Sequence, residues 1–372
     1  MPITTIAQEF SPTGSVTDVR SLGNGNINDT FLVTGEAGDR FVLQRINTQV
    51  FRHPQWVMEN MKIVTEHIHS KLRASKLQGD RVERRWETPR VILTNSGADH
   101  FVDETNSFWR AISFIDQAET IDRIEDPSHA IEVGIALGTF HELVGDISAA
   151  TLHDTLEGFH LTPEYLKQYH EVIFNSRLRQ TPEIDRCLQW VSDRTSFVTI
   201  LEDAKRSGKL TLRIMHGDPK VNNVMFDSMT HKAISMVDLD TVKPGLIHYD
   251  IGDCLRSGCN VMGEEAENWE AVQFDIGLCE TILQGYLPQV KVLLTNFDYD
   301  FIYDSIRLIT FELGLRFLTD YLAGNTYFKV NYPSHNLQRA MVQFQLMESL
   351  ERQEDQVRTI IEGHKKNNLN NV

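Results

Sequence analysis

The apolar positions of the chain change their period about a third of the way along. Early on they come in short runs between glycine-rich turns. Residues 16–22, Phe31-Leu32-Val33 and Phe41-Val42-Leu43 are such runs, with residues 23–26 and 35–38 between them. This pattern predicts strands joined by tight turns. One helix interrupts them over residues 56–72, where Val57, Met61, Val64 and Ile68 recur at spacings of three and four. Residues 91–93 and 109–115 return to strand character, and the charged stretch 79–89 reads as an exposed connection. From Pro127 the helical period takes over. A long helix runs through Ile131, Ile135, Leu137 and Leu143, and helical stretches follow at 163–175 and 182–205. A short β-rich island at 210–242 precedes a mostly helical remainder, 249–362, and a polar tail, 363–372, expected to fray. The expectation is an α+β chain of two lobes. Residues 1–115 form a small β-rich lobe and residues 116–372 a large, mainly helical one, with the hinge near 114–119.

Length supports two lobes, because 372 residues exceed one ordinary compact core. The balance of 41% hydrophobic and 24% charged residues is that of a globular enzyme. A net charge of −16 disfavours nucleic acid and anionic membranes as partners. Cys187, Cys254, Cys259 and Cys279 form no Cys-x-x-Cys pair, so buried or half-buried free thiols are expected. No apolar run approaches the roughly 20 residues that span a bilayer. The first ten residues lack a basic stretch followed by an apolar core. A cytoplasmic monomer or weak oligomer is the expectation.

Within the β-rich island lies His216-Gly217-Asp218-Pro219-Lys220-Val221-Asn222-Asn223. Asp218, Lys220 and Asn223 have the residue types that phosphoryl transfer needs. An aspartate accepts the proton of an attacking hydroxyl, a lysine neutralises charge on the transferred group, and an asparagine oxygen suits Mg²⁺. His216 is read as holding the loop in shape. A hairpin follows, and its second strand ends in Asp238, 15 residues after Asn223, so both can return to one metal ion. Asp240 is either a ligand or substrate contact or a loop-shaping hydrogen bonder. Asp250 is expected to brace the loop through backbone amides. Asp253 and Arg256, three apart on a helix, either line the acceptor site or form a plain surface ion pair.

In the first lobe, Gly23, Gly25, Asn26 and Asn28 join two strands, where glycine lets backbone amides approach ATP phosphates. Gly-Asn-Gly-Asn is also an ordinary hairpin turn. Many kinases carry a phosphate-gripping lysine on the next strand; here the equivalent is the uncharged Gln44, and Arg45 points to the opposite face. Phe114, at the hinge, is the candidate near the nucleotide base.

These residues resemble the aminoglycoside phosphotransferase superfamily, and within it the bacterial N-acetylhexosamine 1-kinases. The likeness runs through Gly25-Asn26-Ile27-Asn28, Leu43-Gln44-Arg45-Ile46-Asn47-Thr48, Lys220-Val221-Asn222-Asn223 and Val237-Asp238-Leu239-Asp240-Thr241. It continues in Asp250-Ile251-Gly252-Asp253, Arg316-Phe317-Leu318-Thr319-Asp320-Tyr321-Leu322, Thr326-Tyr327-Phe328 and Tyr332-Pro333-Ser334-His335-Asn336-Leu337. The resemblance implies a protein-kinase-like two-lobed fold and ATP- and Mg²⁺-dependent phosphorylation of the anomeric hydroxyl of a small-molecule sugar. That sugar is N-acetylglucosamine or N-acetylgalactosamine, seated on the large lobe under the catalytic loop. It also implies Asp218 as activator of the sugar O1, and Arg316 and Tyr327 as sugar contacts. On its own sequence context, Tyr327 is equally a helix-end packing residue. Arg316 sits in an apolar helix and needs a charged partner or a polar ligand. Asn26 stands where the nearest relatives carry histidine.

Overall fold

The computed structural model describes residues 1–11, 14–23, 27–77, 84–175 and 181–369. The small lobe is an antiparallel sheet of β1 (Val16–Ser21), β2 (Asp29–Gly35), β3 (Arg40–Ile46), β4 (Val91–Ile92), β5 (Phe101–Val102) and β6 (Phe108–Ser113). Its order is β1-β2-β3-β6-β4, with β5 also on β6. Alternation along β3 and β6 gives the sheet two unlike faces. Phe41, Leu43, Trp109 and Ala111 pack against Ile6 and Ala7 of α1 (Ile3–Gln8), a helix absent from the sequence reading. On the other face, Ile46 and Phe108 pack on Val57 and Met58 of α2 (Pro54–Leu77). Gln44 and Arg110, in register across β3 and β6, share that second face.

A three-stranded sheet belongs to the large lobe, with β7 (Ala118–Thr120), β9 (Val224–Asp227) and β10 (Ala233–Met236) in the order β10-β9-β7, while β8 (Arg213–Met215) pairs with β11 (Lys243–Gly245). Around these lie α3 (Pro127–Val144), α4 (Thr162–Asn175), α5 (Pro182–Ser192), α6 (Ile200–Arg206) and α7 (Ile247–Gly258). The chain then adds α8 (Ile276–Gln289), α9 (Asn296–Asp300), α10 (Ile302–Leu322), α11 (His335–Glu351) and α12 (Glu354–Leu369). Helix α10 lies against α4, α7 and α11. Its contact with α7 is close enough that a Cβ on Gly252 would meet the Ser305 carbonyl oxygen at 2.5 Å. The fold is therefore the two-lobed, kinase-like α+β architecture.

Several local expectations are corrected. The stretch 182–205 is broken into α5 and α6 by a turn at Thr195–Phe197. The described part of the charged connection, residues 84–89, is half-buried to buried. Arg84 pairs with Glu132, Arg85 with Asp227, and the Glu87 amide donates to the Ile234 carbonyl oxygen. Its charges are spent on internal partners, which is why polarity misread it as surface. The expected frayed tail is helical through Leu369. All four cysteines are free and buried. Among the described residues no helix is long and apolar enough to cross a membrane.

Candidate active site

The floor of the site is the loop between β8 and β9. Gly217 there has φ +87°, and a Cβ would lie 2.7 Å from the Thr241 carbonyl oxygen, so only glycine fits. Asp250, the first-turn acid of α7, accepts from the backbone N–H of His216 at 2.6 Å and of Gly217 at 2.8 Å, the bracing role expected of it. His141 holds the same carboxylate at 2.8 Å. His216 Nε2 donates to the Val237 carbonyl oxygen (3.0 Å), tying the loop to the end of β10. Burial lowers its pKa, so the ring is neutral and structural. A second buried histidine, His160, bridges Glu312 of α10 (2.9 Å) and the Gly217 carbonyl oxygen (2.8 Å).

On this frame Asp218 meets Lys220 at 2.9 Å. The Asn223 amide nitrogen donates to the Asp218 carbonyl oxygen (2.7 Å) and carboxylate (3.2 Å). Burial opposes ionisation of Asp218, but the Lys220 ammonium outweighs it and keeps the carboxyl below its ordinary value. An ionised acceptor is what a general base requires. The carboxamide oxygen of Asn223 takes no hydrogen bond among the described residues. The Val237 N–H donates to the Asn223 carbonyl oxygen at 2.9 Å, and Asp238 follows directly. Asp238 has a left-handed backbone (φ 65°, ψ 54°), which a short acidic residue tolerates better than most. Its carboxyl is reachable by water yet crowded by protein. That desolvation, with the like charges of Asp240 and Asp218, pushes it up to about 7. A carboxylate so repelled is a place for a cation. Among the described residues no three His, Cys, Asp or Glu side chains form a metal cluster. Asn223 and Asp238 offer instead one amide and one carboxylate oxygen, hard donors suited to Mg²⁺.

Asp240 points the other way and is 1% exposed. It pairs with Arg110 of β6 and accepts from Asn28 Nδ2 at 2.6 Å. Arg110, also 1% exposed, donates from Nε (3.0 Å) and Nη2 (2.7 Å) to Gln44 Oε1, and its Nη1 is buried without a partner. Asp240 is thus a buried hydrogen bonder that joins the lobes. Sequence reading missed Arg110. Its signal was a charge inside the apolar run of β6, the same sign that singled out Arg316.

Asp253 and Arg256 pair at 2.8 Å. At 6% and 2% exposure they are buried, so the alternative of a surface pair is excluded. Arg256 also binds Glu264 at 2.6 Å, while Asp253 Oδ2 has no hydrogen-bond partner among the described residues. Burial raises the Asp253 carboxyl, Arg256 opposes this, and the charge of nearby Asp218 adds to it. Arg316 lies within electrostatic reach of Asp218 and has no salt-bridge partner among the described residues. Four rings surround its guanidinium instead: Tyr165 (5.0 Å), Phe159 (5.2 Å), Phe328 (5.5 Å) and Tyr327 (6.0 Å). The wall opens on a cavity of about 540 Å³, lined from the large lobe by Arg316, Tyr327 and Tyr165 and from the other side by Gln49 and Trp56. Tyr327 is 46% exposed there, on a loop whose backbone amides are gathered by the Asp320 carboxylate. Gly23 and Asn28 line a separate cavity of about 870 Å³. Gly25 and Asn26 lie outside the described residues. Phe114 stacks under the Arg40 guanidinium, 4.6 Å from the ring centroid, apart from the other candidates.

A family model described as the phosphotransferase enzyme family matches residues 18–280. An aminoglycoside phosphotransferase from Alicyclobacillus acidocaldarius superposes with a TM-score of 0.62 at 16% identity, covering 98% of this chain and 97% of its own. An ethanolamine kinase of Plasmodium vivax does so at 0.55 and 13%, covering 88% and 82%. An amicoumacin kinase in complex with AMP-PNP, Ca²⁺ and Ami does so at 0.55 and 14%, covering 90% and 88%. The family match stops before α10, so the Arg316 wall lies beyond it.

Proposed function

This chain belongs to the phosphotransferase enzyme family, and from that premise we propose that it phosphorylates the anomeric hydroxyl of N-acetylglucosamine or N-acetylgalactosamine, using ATP and Mg²⁺. In this reading Asp218 orients the sugar hydroxyl and takes its proton, and Lys220 faces the transferred phosphoryl group. Asn223 and Asp238 would hold the Mg²⁺, whose bound charge neutralises the phosphates. Gly23, Gly25, Asn26, Asn28 and Gln44 belong to the nucleotide phosphates and Phe114 to the base. Asp253, Arg256, Arg316 and Tyr327 belong to the sugar. The lobe boundary is set at 115/116, between the end of β6 and β7. The protein is read as a cytoplasmic monomer or weak oligomer with no nucleic-acid or membrane partner.

The observation that carries the sugar assignment is the occupied aromatic cage. Rings that elsewhere attract an ammonium are here already faced by Arg316. An ammonium placed roughly 5 Å from that guanidinium would be repelled by about 3 kcal/mol at an effective dielectric near 20, more than a hundredfold in affinity. Neutral hydroxyl and amide oxygens meet no such penalty and satisfy the unpaired donors. The acceptor is therefore a neutral polyol rather than an aminoglycoside or amino alcohol. An acceptor screen with phosphorus NMR tests this. The expected product carries phosphate on the anomeric carbon of the N-acetylhexosamine. Turnover confined to amine-bearing acceptors would overturn it.

A further inference from the structure

A triphosphate approaching this floor meets the carboxylates of Asp218 and Asp238 against the ammonium of Lys220, with the buried Asp240 pair behind them. The strand position nearest the phosphates, Gln44, brings no charge of its own. What it brings is Arg110. The two residues are register partners on one face of the sheet. Arg110 spends two donors on Gln44 Oε1 and one on Asp240. An amide whose oxygen is held by a guanidinium is polarised, and its nitrogen becomes a stronger donor. Gln44 Nε2 uses one proton on Thr30 Oγ1 (3.1 Å). Its other proton remains available on the half-buried side chain. Asn28, at the start of the glycine turn's return strand, reads the second oxygen of Asp240, so the same carboxylate sets the height of that strand.

We infer that Gln44 and Arg110 work as one composite phosphate-binding group. Gln44 Nε2 is the donor offered to the nucleotide, and Arg110 is the positioning residue that orients it and lends it positive charge. Asp240 is the holder that keeps Arg110 in place. A buried guanidinium in an ion pair costs more than a neutral isostere unless its charge is used, and here the use lies one residue away, in the cleft. The inference rests on the nucleotide half of the reading above and not on the identity of the acceptor.

The test is calorimetric binding of Mg²⁺–AMP-PNP and of adenosine, with no acceptor present. Arg110→Gln combined with Asp240→Asn removes the charges without stranding one, and a melting curve checks that it folds. It should lose about 10- to 100-fold in AMP-PNP affinity, in the range of a lost charge-assisted donor, with adenosine changed less than twofold. Gln44→Leu, which leaves the Arg110–Asp240 pair intact, should show the same phosphate-specific loss. Arg110→Lys should recover part of it. An AMP-PNP affinity within twofold of wild type in a folded variant, or equal losses for AMP-PNP and adenosine, would overturn the inference. Wild-type protein that binds no AMP-PNP would instead sink the phosphotransfer reading as a whole.

Discussion

Two regions bury charge in this molecule and settle it in opposite ways. On and under the loop 216–240 the buried charges have protein partners: Asp250 of α7 holds two loop amides, Asp218 pairs with Lys220 and Asp240 with Arg110. In the second, Arg316 of α10 faces aromatic rings and has no salt-bridge partner among the described residues, and Asp253 Oδ2 of α7 has no hydrogen-bond partner among them. Buried polar groups left unpaired cost about 1–3 kcal/mol each. The first region is complete without its ligands except at the Asn223 and Asp238 oxygens. The second is left open among the described residues, and in the proposed function the sugar completes it. On the proposed reading, general chemistry is built as a closed network, and selectivity as a set of unmet donors and acceptors.

The sharpest way to break this contrast is Asp218→Asn. It keeps the shape and the Lys220 contact but removes the proton acceptor, so kcat should fall on the order of 10³- to 10⁴-fold, with sugar KM nearly unchanged in steady-state assays. Next in size is Arg316→Met. It should lower kcat/KM for the N-acetylhexosamine by about 10- to 100-fold, leave nucleotide KM alone, and open the cage so that amino-alcohol acceptors gain. An equal rise in nucleotide KM and sugar KM would blur the two regions into one. Asp253→Asn should act on sugar KM alone, by about tenfold, since Arg256 keeps Glu264 as a partner.

The smallest expected effect concerns the joint between the regions, His160. Burial disfavours its charge, but Glu312 outweighs burial and raises the pKa above 6.5. Tyr249 stacks on the ring at 5.4 Å, and Gly217 supplies a carbonyl oxygen. A raised folded-state pKa means that its contribution is full below pH 6.5 and is lost as pH rises through the higher value. In thermal melts, His160→Gln should therefore show a flatter decline of Tm on the alkaline side than wild type. An unchanged slope would remove His160 from the joint.

The cluster proposed as catalytic was legible because its residues are close in sequence. Asp218, Lys220 and Asn223 share one loop, and a hairpin of fixed length returns Asp238 to them. The two-lobed fold was legible for a similar reason, since the change of hydrophobic period marks it. Arg110 was not read, because strand pairing, not spacing, brings it to Gln44 and Asp240, which lie 66 and 130 residues away. The Arg84–Glu132 and Arg85–Asp227 pairs misled for that reason too: a run of charges looks solvated until its distant partners are known. Helix α1 was missed because six residues give too few turns to show a period.

The proposed convergence of Asn223 and Asp238 on one divalent cation carries the rest, and it is measured most directly by manganese. Mn²⁺ binding in the presence of AMP-PNP, followed by water-proton relaxation, should be strong in wild type, and lost in Asp238→Asn and in Asn223→Ala while both stay folded. Unchanged nucleotide-dependent manganese binding in either variant would contradict it.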